Sequence, residues 1–120
     1  MKSQVSMQIG SLSSPVVGGE VVNRIHQITA PMGLGLDVGH VVVIDETGVT
    51  ERWDGTPPAD FTKTLGIVVA KQFDNDASVR VLRAGSYRRN RVVIADDSAL
   101  SFSNEFVLTI CGLYAEGEWI

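Results

Sequence analysis

Apolar residues in this chain gather into short β-branched runs, cut by turn residues at intervals of roughly ten to fifteen positions, which is the rhythm of a mostly-β domain. Val38 to Ile44 reads as a buried strand closed by Asp45-Glu46-Thr47-Gly48, with Asp opening the turn and Gly placed where positive φ is wanted. Val49 to Trp53 returns as the second strand of a hairpin. Asp54-Gly55-Thr56-Pro57-Pro58 then breaks the pattern, since Asp-Gly favours a turn and two prolines cannot continue a ladder. Leu65 to Ala70 is the strongest buried strand. Phe73 to Asp76 forms the next turn, Ser78 to Ala84 the next strand, and Gly85-Ser86 is expected to reverse the chain into Tyr87–Ile94.

Both ends read differently. Met1 to Ser14 is rich in Ser, Gln and Gly, and Pro15 and Gly18-Gly19 punctuate the doublets Val16-Val17 and Val21-Val22. Such a stretch has too little contiguous apolar surface to offset its own ordering entropy. It reads as a disordered tail or as an arm ordered by a partner. Glu20 to Ile28 fits a helical face through Val21, Ile25 and Ile28, while its β-branching fits extension. After Asp96, Phe102, Phe106 and Ile110 recur every four residues, with Asp97, Ser98 or Ser101 as N-cap and Gly112 as stop. That favours one short helix, with a strand over Phe106–Ile110 as the other reading, and Leu113 to Ile120 as a last extended segment. The division is an extended arm over 1–35 and a β-rich domain over 36–120.

Composition sharpens this. The hydrophobic fraction is 44% with only 7% aromatic, so the core is aliphatic, as pleated sheet prefers. A net charge of −4 disfavours general nucleic-acid binding. One cysteine, Cys111, excludes a disulfide framework or a multi-cysteine zinc site and reads as a small buried hydrophobe. No signal peptide or membrane span is evident, and the expectation is a soluble intracellular protein.

Chemistry is sparse. His26 and His40 lie in no nucleophile elbow or zinc motif; His40 reads as an edge polar residue, and His26 as solvated or touching a partner. Gly33, Gly35 and Gly39 form no phosphate loop. Asp74-Asn75-Asp76 and Asp96-Asp97 read as turn and cap residues, because a calcium loop would need a Gly and a terminal Glu at fixed spacing. No cofactor, metal or catalytic group is expected. The one charge feature is basic: Arg80, Arg83, Arg88, Arg89 and Arg91 lie close together. They read either as a solvated face or as a patch recognising carboxylates, which the planar guanidinium bonds bidentately.

From Trp53-Asp54-Gly55-Thr56, through Leu65-Gly66-Ile67-Val68-Val69-Ala70, to Ala84-Gly85-Ser86-Tyr87-Arg88, the sequence resembles the head-decoration proteins of bacteriophage lambda and its relatives. The likeness covers roughly residues 36 to 94 and lies in the joint order of the motifs. It marks Trp53, Asp54, Gly55, Thr56, Gly66 and Gly85 as structural motif residues. It implies a small β-clip-like or partly open barrel with one or two short helices, and a non-enzymatic homotrimer on the exterior of the expanded head. The partner implied is the major capsid protein, which the N-terminal arm joins as an added strand, with no direct contact to nucleic acid or membrane. Capsid-contact candidates are then Val16, Val17, Val21, Val22 and Ile25 in the arm, with Arg83, Arg88 and Arg89 on the body. Two other readings remain: another virion part, such as a tail or adsorption module, and a trimeric nucleotide hydrolase on a β-clip scaffold. The hydrolase would need a Gly-rich, Asp-containing substrate motif that this sequence lacks.

Overall fold

A computed structural model describes residues 23–116. They form a mostly-β domain with strands β1 (Arg24–Thr29), β2 (Val41–Asp45), β3 (Gly48–Arg52), β4 (Thr64–Val68), β5 (Ser78–Arg88) and β6 (Leu113–Glu116). One helix, α1 (Phe102–Ile110), and a single 3-10 turn over Arg89–Arg91 complete the described elements. The sheet order is β1-β5-β4-β2-β3, antiparallel throughout, and β6 adds to β5 in parallel. It is open but curled. At its two margins Gly48 of β3 lies so close to the Thr29 carbonyl of β1 that no side chain fits between them.

The β-branched runs sit at the centre because they can be buried on both faces. In β2, Val41 and Val43 point to one side and Val42 and Ile44 to the other, and all four are buried. The first side packs with Trp53, Leu65, Ile67, Leu82 and Leu108 under α1 and β6. The second packs with Val68, Val79, Val81, Ala30 and Leu36. Of the arm expected over 1–35, residues 23–35 are described, and they lie on the domain. Arg24–Thr29 pairs with β5, so the described part of the ambiguous 20–28 segment is extended, residues 20–22 lying outside the described residues, and Ala30 enters the second core. Gly66 lets the second core pack closely on β4: a methyl group there would overlap Val81 and Ile44, both members of that core.

Two expectations change. Gly85 does not reverse the chain, for β5 runs straight through it to Arg88. Its φ of +134° is open to glycine, and a side chain would collide with Asn23, whose Oδ1 accepts from the Ser86 amide (3.0 Å). Here β5 changes partners, from β1 and β4 before Gly85 to β6 after it. The strand expected over Tyr87–Ile94 is therefore the end of β5 followed by the 3-10 turn. The favoured reading of one short helix after Asp96 holds: α1 spans Phe102–Ile110, and Phe106–Ile110 is not a strand. Ser101 is the N-cap, in a reciprocal capping box with Asn104 (3.1 and 2.9 Å), and Gly112 follows the C-cap Cys111.

Candidate functional site

The Trp-Asp-Gly-Thr motif is a self-locking turn. Trp53 is 1% exposed, and its main chain joins β2 to the 94–97 loop, donating to Val41 O and accepting from the Ala95 amide (both 2.8 Å). The indole Nε1 donates to Thr56 O (2.7 Å), while Asp54 Oδ1 accepts from the Thr56 amide (2.9 Å). That amide bond holds the Asp54 carboxyl below the usual carboxylate range. Gly55, at φ +96°, lets the turn close against the Asn104 side chain of α1. The motif thus seats a core aromatic and abuts the helix in one step.

The five arginines do not form one patch. Arg80 and Arg88 are exposed but eight positions apart on β5, about 26 Å along an extended strand. Arg83 is half-buried beside Asp45 and Glu46, in a groove between the β2–β3 turn and the Phe61–Thr64 segment. Arg89 turns inward, its Nε 3.0 Å from Glu105 Oε2 of α1. Val16, Val17, Val21 and Val22 lie outside the described residues. Ile25 is 40% exposed on β1, a strand otherwise largely open to solvent.

Sequence reasoning missed a polar knot formed by His40, Arg52 and Asp97. Arg52 Nη2 donates to Ile94 O (2.8 Å) and to Asp97 Oδ1 (2.9 Å), and His40 Nε2 lies 4.0 Å from the same carboxylate. His40 is no edge residue: it is half-buried, and its Nδ1 accepts from the Asp37 amide (3.1 Å). Burial first, then the Arg52 charge, lower its pKa despite Asp97 and Asp37. The Asp-rich stretches serve turns as expected: Asp76 Oδ2 accepts from the Phe73 amide and Asp96 Oδ1 from the Ser98 amide. Among the described residues no three His, Cys, Asp or Glu side chains group where a metal ion would sit. No helix among them is long and apolar enough to cross a membrane.

The most informative surface belongs to α1. The residues whose spacing marked this helix, Phe102, Phe106 and Ile110, are 72%, 63% and 73% exposed. Asn104, Glu105 and Leu108 face inward instead. The polar pair fixes this rotation: Asn104 closes the capping box beside Gly55, and Glu105 meets Arg89. A groove of about 470 Å³ runs alongside, lined by Pro57, Pro58, Phe61, Val107, Ile110 and Cys111. Phe61 stands fully exposed at its rim. Each large apolar side chain left in water forgoes about 1.5–3 kcal/mol of burial, so this face is poorly suited to a chain that stays alone. Comparison with known proteins finds no family that matches the chain and no curated protein that does.

Proposed function

We propose that this protein is a capsid-decoration protein: a trimer that binds the exterior of an expanded phage head and stabilises it. The observation carrying this reading is the rotated helix, which turns three large apolar side chains outward while ion-paired and capping groups occupy the interior. Such a surface suits a part of an assembly. The order of the Trp53–Thr56, Gly66 and Gly85 motifs suggests which assembly. In this fold each of them shapes the core or the strand pairing rather than a reactive cleft.

The physics of cementing follows. β1 carries an exposed Ile25 at the sheet margin, directly after the N-terminal segment with its valine doublets. A segment that adds to a sheet edge of the coat gains main-chain hydrogen bonds and loses ordering entropy, so one arm binds modestly. Three arms on one body raise avidity by about 10²–10⁴. A body bridging several coat subunits stabilises only the shell geometry it fits, by about 2.7 kcal/mol per site at a hundred times its Kd.

The test is to add the purified protein to expanded heads of the parent phage that lack it, and to procapsids. Cryo-EM density at three-fold positions of the expanded shell, with a raised disruption temperature, is the expected result. Absence of binding to either shell overturns the reading.

A further inference from the structure

We propose that, in the isolated chain, the groove between α1 and the Pro57–Lys63 loop seats the chain's own N-terminal segment, residues 1–22, through its valine doublets. These residues lie outside the described ones. The inference does not rest on the capsid reading.

Position selects this occupant first. Asn23, which follows the segment, stands against Gly85, and its Oδ1 accepts from the Ser86 amide (3.0 Å). The Gly85 amide donates to Gly112 O (3.0 Å), and Gly112 follows Cys111, which lines the groove. Asn23 and Gly112 are thus both immediate neighbours of Gly85, within two strand spacings of each other, about 10 Å. Residues 16–22 span up to about 23 Å when extended, so both valine doublets reach the groove. The other end of the chain is placed differently: β6 leads away from Cys111, and residues 117–120 depart from its far end.

Chemistry agrees. The groove of about 470 Å³ is walled by Pro57, Pro58, Val107 and Ile110, with Phe61 fully exposed at its rim. Val16-Val17 and Val21-Val22 are compact apolar pairs of the kind such a groove buries, and Gly18-Gly19 between them lets the chain turn along it. Lys63 lines the groove and joins no ion pair among the described residues. Glu20, the only carboxylate side chain in residues 1–22, stands between the doublets. Tethering strengthens the contact. A segment joined to its site by a few residues acts at an effective concentration of about a millimolar, so weak binding suffices.

A docked arm keeps an edge-seeking segment from pairing with the wrong sheet. An arm taken up by a partner's sheet edge uncovers Phe61 and Ile110 at the same moment, which couples the first contact to a second, apolar one.

The experiment uses the full chain and its single cysteine. Cys111 lines the groove, so its rate of modification by N-ethylmaleimide reports whether the groove is covered. Replacing all four valines (Val16→Ser, Val17→Ser, Val21→Ser and Val22→Ser) is expected to raise that rate about tenfold or more, with an unchanged circular dichroism spectrum. The reciprocal variant is Ile110→Glu, at a position exposed on the described domain. Its readout is cleavage after Glu20 by a glutamate-specific protease, expected to quicken as the arm leaves the groove. Both protections are expected to survive dilution. Equal maleimide rates for wild type and the serine variant, unchanged cleavage in Ile110→Glu, or protection lost on dilution (an arm supplied by a neighbour) each overturn the proposal. No phage head is present in these measurements. Failure of the capsid reading therefore leaves their result intact, and an arm that never docks leaves that reading standing.

Discussion

The sheet centre and helix α1 both announce themselves by periodic apolar residues, but they use those residues in opposite ways. In β2 and β4 the apolar positions are the buried ones. In α1 the apolar stripe of Phe102, Phe106 and Ile110 faces water, while Asn104 and Glu105 face the core. Periodicity therefore identifies an element without fixing which of its faces is inside. That choice belongs to partners far away in sequence: Gly55 and Arg89 receive Asn104 and Glu105, and the helix turns to meet them.

The strongest way to break this comparison is to truncate one large residue from each region. Trp53→Ala removes a 1% exposed side chain and is expected to cost about 3–5 kcal/mol, as other large-to-small core changes do. Phe106→Ala, at 63% exposure, is expected to leave the stability of the isolated chain within about 0.5 kcal/mol. Urea denaturation of both variants at a concentration where the protein is monomeric decides it. Equal losses would place the α1 stripe in a core after all.

The next effect concerns what holds the helix in its rotation. Glu105 is 10% exposed and Arg89 28%, so removing either breaks an ion pair in a poorly hydrated place. Glu105→Ala is expected to cost about 1–3 kcal/mol. The double variant with Arg89→Met should recover part of that loss, because both charges are then gone. A double-mutant cycle with no coupling would mean that the capping box alone orients α1.

A smaller effect separates the polar knot at the foot of β2 from both regions. His40 has its pKa lowered from the ordinary 6.5, by burial first and then by Arg52. The fold thus favours the neutral ring, and the unfolded chain takes up its proton first as pH falls. This contribution is present above pH 6.5 and is lost as pH drops through 6.5 towards the lower folded value. His40→Gln should flatten that part of the stability profile. A profile unchanged between pH 7 and 5 would show that the ring does not sense the knot.

What the sequence revealed follows the same division. The hairpin, the Trp53 turn, the strand around Leu65–Val68 and the capped helix were all legible, because each is specified by neighbours within a few residues. Gly85 was misread as a reversal because a lone glycine in an apolar run marks a turn and a partner switch equally well. Only Asn23, more than sixty positions earlier, distinguishes them. The basic cluster dispersed for a similar reason: strand alternation separates Arg83 from Arg80 and Arg88, and Glu105 draws Arg89 inward. Arg52, the arginine that ties β3 to the 94–97 loop, stood outside the cluster and gave no local signal.

The smallest effect at neutral pH comes from Tyr87, where the sheet end meets the helix. The ring is 5% exposed within the first core, and its hydroxyl finds no hydrogen-bond partner among the described residues. Burial first, then the nearby Glu105 charge, pushes the phenol pKa up to about 12, against a smaller opposing effect of Arg89. A buried hydroxyl without a partner has already given up its hydration, so Tyr87→Phe is expected to leave stability at pH 7 unchanged or slightly higher. In alkali the two proteins part. The unfolded tyrosine loses its proton near 10 and the folded one only near 12, so wild type keeps this contribution in full below pH 10. It then loses it progressively as pH rises from about 10 to about 12. Tyr87→Phe removes that term, and its melting temperature should fall less steeply across the same interval. Parallel curves, or a clear loss at pH 7, would mean that the hydroxyl has found a partner.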